Sequence, residues 1–302
     1  MPDPGRPRGP KQRLIRPYVE LHRKLDSIWE AVNDLREQHR RDSARTQGIL
    51  RHIYDDEPGN RRRLYALRES EEYELAFTEQ EPLVSFLVPT YDSHSTLREV
   101  ALPSILGQTY SNLEVIVVGD CSPPETAEVI ADLGDPRVRF YNRTVRGPYP
   151  DDETRWYVVG TPPYNDALSQ ARGRWIAGLG DDDAVRPDHA ENLVRAAKEG
   201  HYELCYGRQL VRFADGDELE LGDFPPRLGE WGLQAAIYHS GLRFFGLELT
   251  DALYEEPNDW SLCRRMLRVG VRFGAIDQVV VDKHETRRTA EQWKAGRIPE
   301  VD

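Results

Sequence analysis

Residues 175–189 read WIAGLGDDDAVRPDH, and this stretch decides how the rest of the chain is interpreted. The apolar run at 175–179 predicts a buried strand, and the residues after Pro187 predict a helix that ends at Gly200. Ligands of open α/β sheets bind outside the carboxyl ends of the strands, so side chains between these two elements are well placed to hold a metal. Three consecutive carboxylates stand there: Asp181, Asp182 and Asp183.

The chemistry of this triplet favours a hard divalent cation. Mg2+ and Mn2+ prefer oxygen ligands, and Mg2+ usually binds through one or two carboxylates together with the phosphates of a substrate. A nucleotide diphosphate is therefore the expected ligand, with Mn2+ or Mg2+ as the cofactor. A solvated acidic loop that caps the following helix has the same composition, and this alternative stays open.

The overall composition indicates a polar surface and argues against two classes of protein. Mean hydropathy is −0.67 and 30% of the residues are charged. No stretch approaches the roughly 18 apolar residues that a membrane span needs. The net charge of −12 argues against nucleic acid as the partner, because nucleic-acid binding calls for a basic face. An acidic protein that binds an anionic phosphate needs a cation between the two, as the carboxylate triplet suggests.

The cysteines and the first residues bear on the location of the protein. Cys121, Cys205 and Cys263 are far apart and odd in number, which favours reduced thiols and excludes a cysteine metal site. Residues 1–13 are basic and rich in Pro and Gly, and no apolar segment follows them as in a secretory signal. We expect a cytoplasmic location, and peripheral association with a membrane stays open.

An N-terminal extension is expected over residues 1–80, before a change in character at residue 81. Its apolar residues are spaced alternately four and three apart, which is typical of a short coiled coil. Such a helix would make the protein a homo-oligomer. The alternative is that the same stripe packs against the protein's own body. The stripe consists of Leu14, Tyr18, Leu21, Leu25, Ile28, Val32 and Leu35.

After residue 81, strand and helix patterns alternate at the spacing of a parallel sheet with crossover helices. A helix is expected from Thr96, where Thr96 and Glu99 have the spacing of a capping box, to Gly107. A second helix is expected after Pro123 and Pro124. Nearly continuous apolar runs predict buried strands at 83–90, 113–118 and 138–143.

Residues 83–122, LVSFLVPTYDSHSTLREVALPSILGQTYSNLEVIVVGDCS, resemble the family 2 glycosyltransferases, which have a GT-A fold. The shared features are a V-P-T-Y turn, a helix with S-I-L-x-Q-T-Y, the strand N-L-E-V-I-V-V and an acidic turn that ends in Ser. The resemblance covers about residues 82–285. It implies a mixed, mostly parallel sheet flanked by helices in a domain over 81–285, with a tail at 286–302. It also implies a nucleotide diphosphate sugar donor.

The resemblance assigns residues to the donor. Tyr91 matches the residue that stacks on the nucleobase, Asp120 matches the acid that contacts base or ribose, and Asn165 matches the Asn of an Ala-Arg-Asn segment. An aromatic face and a carboxylate acceptor also suit a pyrimidine chemically. Tyr91 could instead pack within a turn, and Asp120 could cap a helix. Gly119 and Tyr164 stand where the family often has an acid and an Arg.

The family's metal motif falls on GLGDDD, residues 178–183. In this alignment Gly180 takes the place of the first acid, Asp182 that of the metal ligand and Asp183 the next position. Either Asp181, which is assigned to donor binding, supplies the missing carboxylate after a shift of one residue, or the metal rests mainly on Asp182. His284 matches a family histidine near the metal and the pyrophosphate, although a single histidine can equally be structural.

The segment PNDWSLCRRMLRVG, residues 257–270, resembles the helix that carries the family's catalytic base. The base position falls on Asp259, Asn258 stands where an acid is usual, and the alternative is a helix cap only. Trp260, Leu262, Met266 and Leu267 are expected on the buried side of this helix. The long insertion RTVRGPYPDDETRWYVVGTPP, residues 143–163, could form a lid, a wall for the acceptor, or a surface loop.

The sequence therefore predicts an inverting, metal-dependent glycosyltransferase of the hexosyltransferase type. It would make a single transfer from a nucleotide sugar, most simply a UDP-sugar, to a hydroxyl of a saccharide, lipid-linked or small-molecule acceptor. Two alternatives stay open: a nucleotidyltransferase, and a coiled-coil scaffold with a catalytically degenerate GT-A domain. The departures from the family at Gly119, Tyr164, Gly180 and Asn258 keep the last of these open.

Overall fold

The structure is a computed structural model that describes residues 10–151, 153–213 and 216–285. By its contacts the chain divides into two compact units, Met1–Asp56 and Glu57–Asp302. Residues 57–80, which the sequence analysis placed in the extension, belong to the second unit. No helix among the described residues has the length and apolar character needed to cross a membrane.

The first unit contains one long helix, α1 (Pro10–Tyr54). The heptad residues from Leu21 to Leu35 are all exposed on it, and Trp29 is exposed beside them. The side chains of Leu14 and Tyr18 lie outside the described part of the chain. The apolar stripe is therefore present on a continuous helix, while the coiled coil itself stays a prediction.

The second unit begins with two helices that are integral to its core, α2 (Glu57–Arg68) and α3 (Leu75–Thr78). Leu64 on α2 is fully buried, and Tyr73 and Phe77 are buried as well. The Arg68 guanidinium donates two hydrogen bonds to the buried carboxylate of Glu203, at 2.6 and 2.8 Å. The Tyr73 hydroxyl donates a third to the same group, at 2.7 Å. These contacts tie residues 57–80 to the sheet.

The first half of the sheet is parallel. Strand β1 pairs with β2 on one side and with β4 on the other, and β2 pairs with β3, all in parallel. In this register Thr90 lies opposite Gly119, so the two strands end side by side. Their carboxyl ends consequently form one edge, where the next residues of the chain emerge. The strands are β1 (Val84–Thr90), β2 (Leu113–Gly119), β3 (Val138–Asn142) and β4 (Trp175–Gly178).

The helical segment after β1 differs from its prediction. It starts at α4 (His94–Thr96), passes through a π-helical turn at Leu97–Ala101 and ends as α5 (Leu102–Leu106). The predicted capping box is wrong, because Thr96 lies inside the helix and its hydroxyl donates to the Ser93 carbonyl. The next crossover helix, α6 (Pro124–Leu133), follows Pro123 as expected. A further helix, α7 (Thr161–Gln170), was not predicted and begins within the predicted insertion.

The second half of the sheet is mixed. Strand β8 continues the sheet antiparallel to β4, and β6 and β9 then pair in parallel. The order is β3-β2-β1-β4-β8-β6-β9-β5, with β7 paired to β6. The elements are β5 (Ala184–Val185), α8 (His189–Gly200), β6 (Leu204–Phe213), β7 (Glu218–Leu221), β8 (Ala236–His239), α9 (Asn258–Val269) and β9 (Phe273–Glu285).

This architecture confirms the predicted α/β fold with a mixed sheet flanked by helices. Both faces of β1 and β2 are buried, because helices cover the sheet on either side, which explains their continuous apolar sequences. Helix α9 packs through Leu262 and Met266 as expected. Leu267 was wrongly placed on the buried side, since it is among the exposed apolar residues.

Candidate functional site

The predicted donor residues gather at the edge formed by the ends of β1, β2 and β4. Tyr91 follows β1 directly, Asp120 follows β2, and Gly180 to Asp183 follow β4. The backbone N–H of Asp120 donates to the Thr90 carbonyl at 2.7 Å, which holds the two turns together. Parallel register thus brings together residues that are far apart in the sequence.

Asp120 is almost fully buried and is engaged by its own chain. Its Oδ1 accepts a hydrogen bond from the backbone N–H of Gly147 at 2.9 Å, and its Oδ2 accepts one from the Tyr149 hydroxyl at 2.7 Å. The Arg143 guanidinium forms an ion pair with the same carboxylate, with Nε 3.2 Å from Oδ1. Asp120 therefore anchors residues 143–149, the start of the predicted insertion.

Tyr91 is covered by the same segment. Its ring is 40% exposed, and the guanidinium carbon of Arg146 lies 3.4 Å from the centre of the ring. The aromatic face predicted to stack on a nucleobase thus carries a cation–π contact with Arg146. Sequence reasoning missed Arg143, Arg146 and Tyr149, although the basic and aromatic content of RTVRGPYP was a visible signal.

Local packing explains the departure at Gly119. A Cβ added at this position would lie 2.6 Å from Asn142 Oδ1 and 2.7 Å from Ser122 Oγ, closer than atoms can approach. The Asn142 side chain bridges the backbone of Ser122, accepting from its N–H and donating to its carbonyl, both at 2.9 Å. This bridge occupies the space that the family's additional acid would need.

Asp181 lies beside the turn after β1. Burial raises the pKa of its carboxyl group, and the nearby negative charge of Asp182 acts in the same direction. The hydroxyls of Thr90 and Ser93 and the backbone N–H of Tyr91 oppose this shift, but the net pKa is raised. Tyr91 and Asp181, both assigned to the donor, are therefore neighbours.

The carboxylates of Asp182 and Asp183 both turn back toward Gly180. Asp182 Oδ1 lies 3.0 Å, and Asp183 Oδ2 3.2 Å, from the point that a Cβ on Gly180 would occupy. Asp182 is exposed and Asp183 is buried. Two convergent carboxylates suit a Mg2+ or Mn2+ ion that takes its remaining ligands from phosphates and water. The residues present therefore fit a cation that binds together with a diphosphate.

A complete protein cage for a metal is not formed by the described residues, which contain no group of three or more His, Cys, Asp or Glu able to hold one. His284 pairs with Arg212 in the backbone register of β9 and β6. Its side chain lies outside the described part of the chain, so its proposed role at the metal stays a prediction.

Asp259 and the end of β4 border one open cavity of about 160 Å³. Asp259 lies in the first turn of α9, and its Oδ1 accepts a hydrogen bond from the Trp260 N–H at 2.7 Å. The start of α9 therefore places Asp259 in the wall of a cavity beside the donor edge. The other residues of the cavity wall include Pro89, Val159, Tyr164, Gly180, Leu247 and Asn258.

Burial raises the pKa of the Asp259 carboxyl group, and this effect outweighs the opposing groups. The strongest of those is the positive charge of Lys283 on β9, followed by backbone N–H donors. Sequence reasoning missed Lys283, because strand pairing rather than any motif brings it near α9. A carboxylate with a raised pKa beside a cavity has the character of a general base.

The remaining predicted residues have mainly structural contacts. The Asn165 side chain accepts from the N–H of Leu247 at 3.0 Å and donates to its carbonyl at 2.9 Å, so it fixes part of the cavity wall. Tyr164 is buried, and its hydroxyl lies 2.9 Å from that of Tyr238. The Asn258 amide donates to Thr161 Oγ1 at 2.8 Å. Direct donor binding by Asn165 stays a prediction.

Comparison with known proteins identifies the family. The model of the family described as "Glycosyl transferase family 2" matches residues 85–149 and 163–267. The chain belongs to glycosyl transferase family 2. The gap between the matched segments, 150–162, lies within the predicted insertion, so this chain differs from the family pattern where the segment anchored on Asp120 continues toward α7.

Curated relatives share part of the chain. The succinoglycan biosynthesis protein ExoO of Rhizobium meliloti (strain 1021) is 34% identical over 142 residues, which is 46% of this chain and 37% of that protein. A GalNAc(5)-diNAcBac-PP-undecaprenol beta-1,3-glucosyltransferase of Campylobacter jejuni subsp. jejuni is 30% identical over 132 residues, 43% and 39% of the two chains. The chain thus matches about half or less of the length of these relatives.

Solved structures support the GT-A fold. S. aureus TarS 1–349 in complex with UDP-GlcNAc has a TM-score of 0.53 at 18% identity, covering 67% of this chain and 58% of that one. The mannosyltransferase PcManGT from Pyrobaculum calidifontis, in complex with GDP-Man and Mn2+, has a TM-score of 0.52 at 15% identity, covering 82% and 70%. At these identities the likeness concerns the fold alone.

Proposed function

We propose that this family 2 protein is an inverting, metal-dependent glycosyltransferase that makes a single transfer from a nucleotide diphosphate sugar to an acceptor hydroxyl. One observation carries the proposal: Asp259 and Gly180 line the same cavity, so a candidate base lies next to the carboxylates that suit a diphosphate-bound cation. The donor diphosphate and the acceptor hydroxyl can therefore meet in one place.

The donor half of the site is proposed to bind a UDP-sugar. Tyr91 and Asp120 would recognise the base or ribose, Asp181 would contact the nucleoside side of the donor, and Asn165 would hold the adjoining wall. TarS, which shares the fold, was solved with UDP-GlcNAc, whereas PcManGT was solved with GDP-Man. The choice of UDP over GDP is thus a proposal about this chain.

Asp182 and Asp183 are proposed to hold Mn2+ or Mg2+, with His284 as a further ligand. When bound, the cation would neutralise the negative charge that develops on the leaving diphosphate. The protein's contribution is to present two convergent carboxylates at the end of β4. It also places Asp181 beside Asp182, whose negative charge acts with burial to raise the pKa of the Asp181 carboxyl group.

Asp259 is proposed to be the general base. Its ionised carboxylate accepts the proton of the acceptor hydroxyl as that oxygen forms a bond to the anomeric carbon of the donor. The bond from the anomeric carbon to the diphosphate oxygen breaks on the opposite face, and the diphosphate leaves with the electron pair. Attack opposite to the leaving group inverts the configuration at this carbon.

The acceptor is proposed to be a saccharide, a lipid-linked sugar or a small molecule with a free hydroxyl. The Campylobacter relative is named for a lipid-linked saccharide, and the Rhizobium relative for polysaccharide biosynthesis. A cytoplasmic enzyme that associates peripherally with a membrane would be consistent with such acceptors. The exposed side chains of Trp156 and Val159 lie in the insertion, and Val159 also lines the cavity, so this segment suits an apolar acceptor face.

The N-terminal helix is proposed to make the protein a homo-oligomer. Leu21, Leu25, Ile28 and Val32 continue the alternating spacing and are exposed on α1. A heptad stripe of this kind is buried when two helices supercoil around each other. This proposal concerns α1 alone and is independent of the chemistry of the second unit.

A panel of nucleotide sugars tests the proposed reaction directly. The full chain is incubated with UDP-, GDP- and dTDP-sugars and Mn2+, and release of the nucleoside diphosphate is measured with water as the acceptor. We expect slow release from one class of donor, lost when EDTA replaces Mn2+. Binding of a nucleotide without release from any of its sugars would instead favour a degenerate domain that acts as a binding module or scaffold.

A further inference from the structure

A side chain of the protein itself lies at the position proposed for the nucleobase of the donor. We propose that residues 143–149, here named the arm, hold Arg146 against Tyr91 in the place of a nucleobase. A nucleotide must then displace the arm to bind. This inference rests on the proposed function, since it concerns the donor site of that reaction. It adds a gate formed by the last residues of the first segment that the family model matches, 85–149.

Arg146 occupies the position that a base would need. Its guanidinium carbon lies 3.4 Å from the centre of the Tyr91 ring, which is the separation of two stacked planar groups. A base and a guanidinium cannot share that face. The Nε of Arg146 is buried, and no described residue accepts a hydrogen bond from it. Because an unsatisfied buried donor costs free energy, displacement of the guanidinium regains part of the free energy that the lost contact with Tyr91 costs.

Asp120 provides a second observation that points to the same segment. A base that used this carboxylate would need at least one of its oxygens. Both are engaged by the arm, through the N–H of Gly147, the hydroxyl of Tyr149 and the guanidinium of Arg143. The two groups assigned to the nucleoside are therefore covered by one stretch of seven residues, 143–149.

The arm has a specific conformation. A Cβ at Gly147 would lie 2.8 Å from Pro162 Cγ and 2.8 Å from the Tyr149 ring, so only glycine fits there. The N–H of Arg143 donates to the Gly119 carbonyl at 2.9 Å, which fixes the base of the arm to the end of β2. The conformation of the arm thus requires a glycine at 147 and is fixed at its base by the carbonyl of residue 119.

The arm should lower the affinity of the chain for a nucleotide. Binding of the base must break the stack between Arg146 and Tyr91 and release Asp120, so part of the interaction energy is used to open the arm. Removal of the Arg146 side chain should lower that cost while leaving Tyr91 and Asp120 in place. The predicted effect is tighter binding, opposite to the effect of deleting a residue that contacts the ligand.

Calorimetric titration with UDP in the presence of Mn2+ tests this inference on the full chain. We expect Arg146→Ala to bind UDP with a Kd lower than wild type by roughly three- to tenfold, as expected for loss of one competing cation–π contact. Arg146→Lys should fall between the two, because an ammonium group stacks less well than a planar guanidinium. Arg98→Ala is the control, since it removes an equal charge from an exposed ion pair with Asp132.

The calorimetric results distinguish failure of the gate from failure of the proposed function. A Kd that is unchanged or higher in Arg146→Ala, with UDP bound by wild type, would overturn the gate and leave the donor site intact. UDP binding by Arg146→Ala but not by wild type would support the gate in its strongest form. If neither protein binds UDP, GDP, dTDP or CDP, both the gate and the proposed function fail.

Exposure of Cys121 gives a readout that needs no nucleotide. Cys121 is exposed, whereas Cys205 and Cys263 are buried, so an alkylating reagent should modify it selectively in the folded protein. Its Sγ lies 3.9 Å from the Thr144 carbonyl of the arm. We expect faster alkylation in Arg146→Ala than in wild type or Arg98→Ala. Equal rates in all three proteins would contradict the idea that Arg146 holds the arm closed.

Discussion

Asp259 and Gly180 line the same cavity, although they belong to distant segments of the chain. Asp259 lies in the first turn of α9, and Gly180 follows β4. The carboxylates of Asp182 and Asp183 turn toward Gly180, so the candidate cation ligands lie beside a residue that shares this cavity with the candidate base.

Replacement of Asp259 by Asn should abolish transfer and preserve donor binding. The amide keeps the size of the carboxylate but cannot accept a proton, and loss of a general base costs roughly 10²- to 10⁴-fold in rate. The measurement is release of the nucleoside diphosphate from the donor, together with the Kd of the nucleotide. Asp277→Asn, at an exposed residue paired with Arg208, is the matched control. Near-normal turnover in Asp259→Asn would exclude the base role.

The rate should fall as the pH decreases. This fall should occur at a higher pH than it would for an aspartate with an ordinary pKa. Burial raises the pKa of Asp259, and the base acts only when it is ionised, so activity is present above this pKa and is lost as pH falls through it. A pH profile of turnover in wild type and Lys283→Met checks the assignment. Removal of the positive charge of Lys283 should shift the acidic limb of the pH profile to still higher pH. A shift of this limb to lower pH would contradict the assignment of Asp259 as the base.

Asp182→Ala should remove the metal-dependent part of nucleotide binding. The exposed carboxylate of Asp182 is the more accessible of the two that turn toward Gly180, and Mg2+ or Mn2+ needs few other protein ligands when a diphosphate is present. Calorimetry of the nucleotide with Mn2+ and with EDTA measures the effect. Asp132→Ala, in an exposed ion pair with Arg98, serves as the control. Unchanged dependence on Mn2+ in Asp182→Ala would refute the site.

Glu203→Gln should destabilise the second unit by about 2–4 kcal/mol, because it weakens a buried carboxylate held by charged donors. Burial raises the pKa of Glu203, but hydrogen bonds from Arg68, Arg272 and Tyr73 outweigh it and lower the pKa overall. Its stabilising contribution is therefore present above its ordinary pKa and is lost as pH falls through the lowered value. Denaturant unfolding of Glu203→Gln and of the exposed control Glu220→Gln measures the difference. An equal free energy of unfolding would contradict the proposed anchoring of residues 57–80.

The full chain should have an oligomeric mass in light scattering, and a chain that lacks residues 1–56 should be monomeric. Ile28→Asp in the full chain should have the same effect as the deletion, because a charge in the centre of the stripe opposes burial between helices. Asp26→Asn, at a residue off the stripe on the same helix, is the control and should leave the mass unchanged. A monomeric mass for the full chain would remove the proposed coiled coil.

The sheet could be predicted from the sequence because its strands are buried on both faces. Continuous apolar runs such as Val84–Thr90 and Leu113–Gly119 have few other stable structures in a protein of this composition. Strand bounds were close to those observed, and the family resemblance placed Asp120 and Asp259 at the ends of elements. Local signals were less reliable. Thr96 and Glu99 had the spacing of a capping box, yet the helix starts earlier and passes through a π turn.

Contacts between distant segments could not be predicted in the same way. The stack of Arg146 on Tyr91 and the position of Lys283 near Asp259 depend on strand pairing and on the path of the insertion. No periodicity or spacing in the sequence reports such contacts. The requirement for glycine at 119 arises likewise from the Asn142 side chain, which comes from a neighbouring strand. The details of the site thus depend on tertiary packing.

A thermal-shift panel of UDP, dTDP, GDP and CDP, each with and without Mn2+, tests the central claim most directly. A nucleotide at about a hundred times its Kd stabilises the folded chain by roughly 2.7 kcal/mol, which raises the Tm of a protein of this size by a few degrees. The account predicts a shift for one nucleotide, with UDP the first expectation, and only when Mn2+ is present. The absence of a shift with every nucleotide and metal combination would contradict a metal-dependent donor site at the ends of β1, β2 and β4.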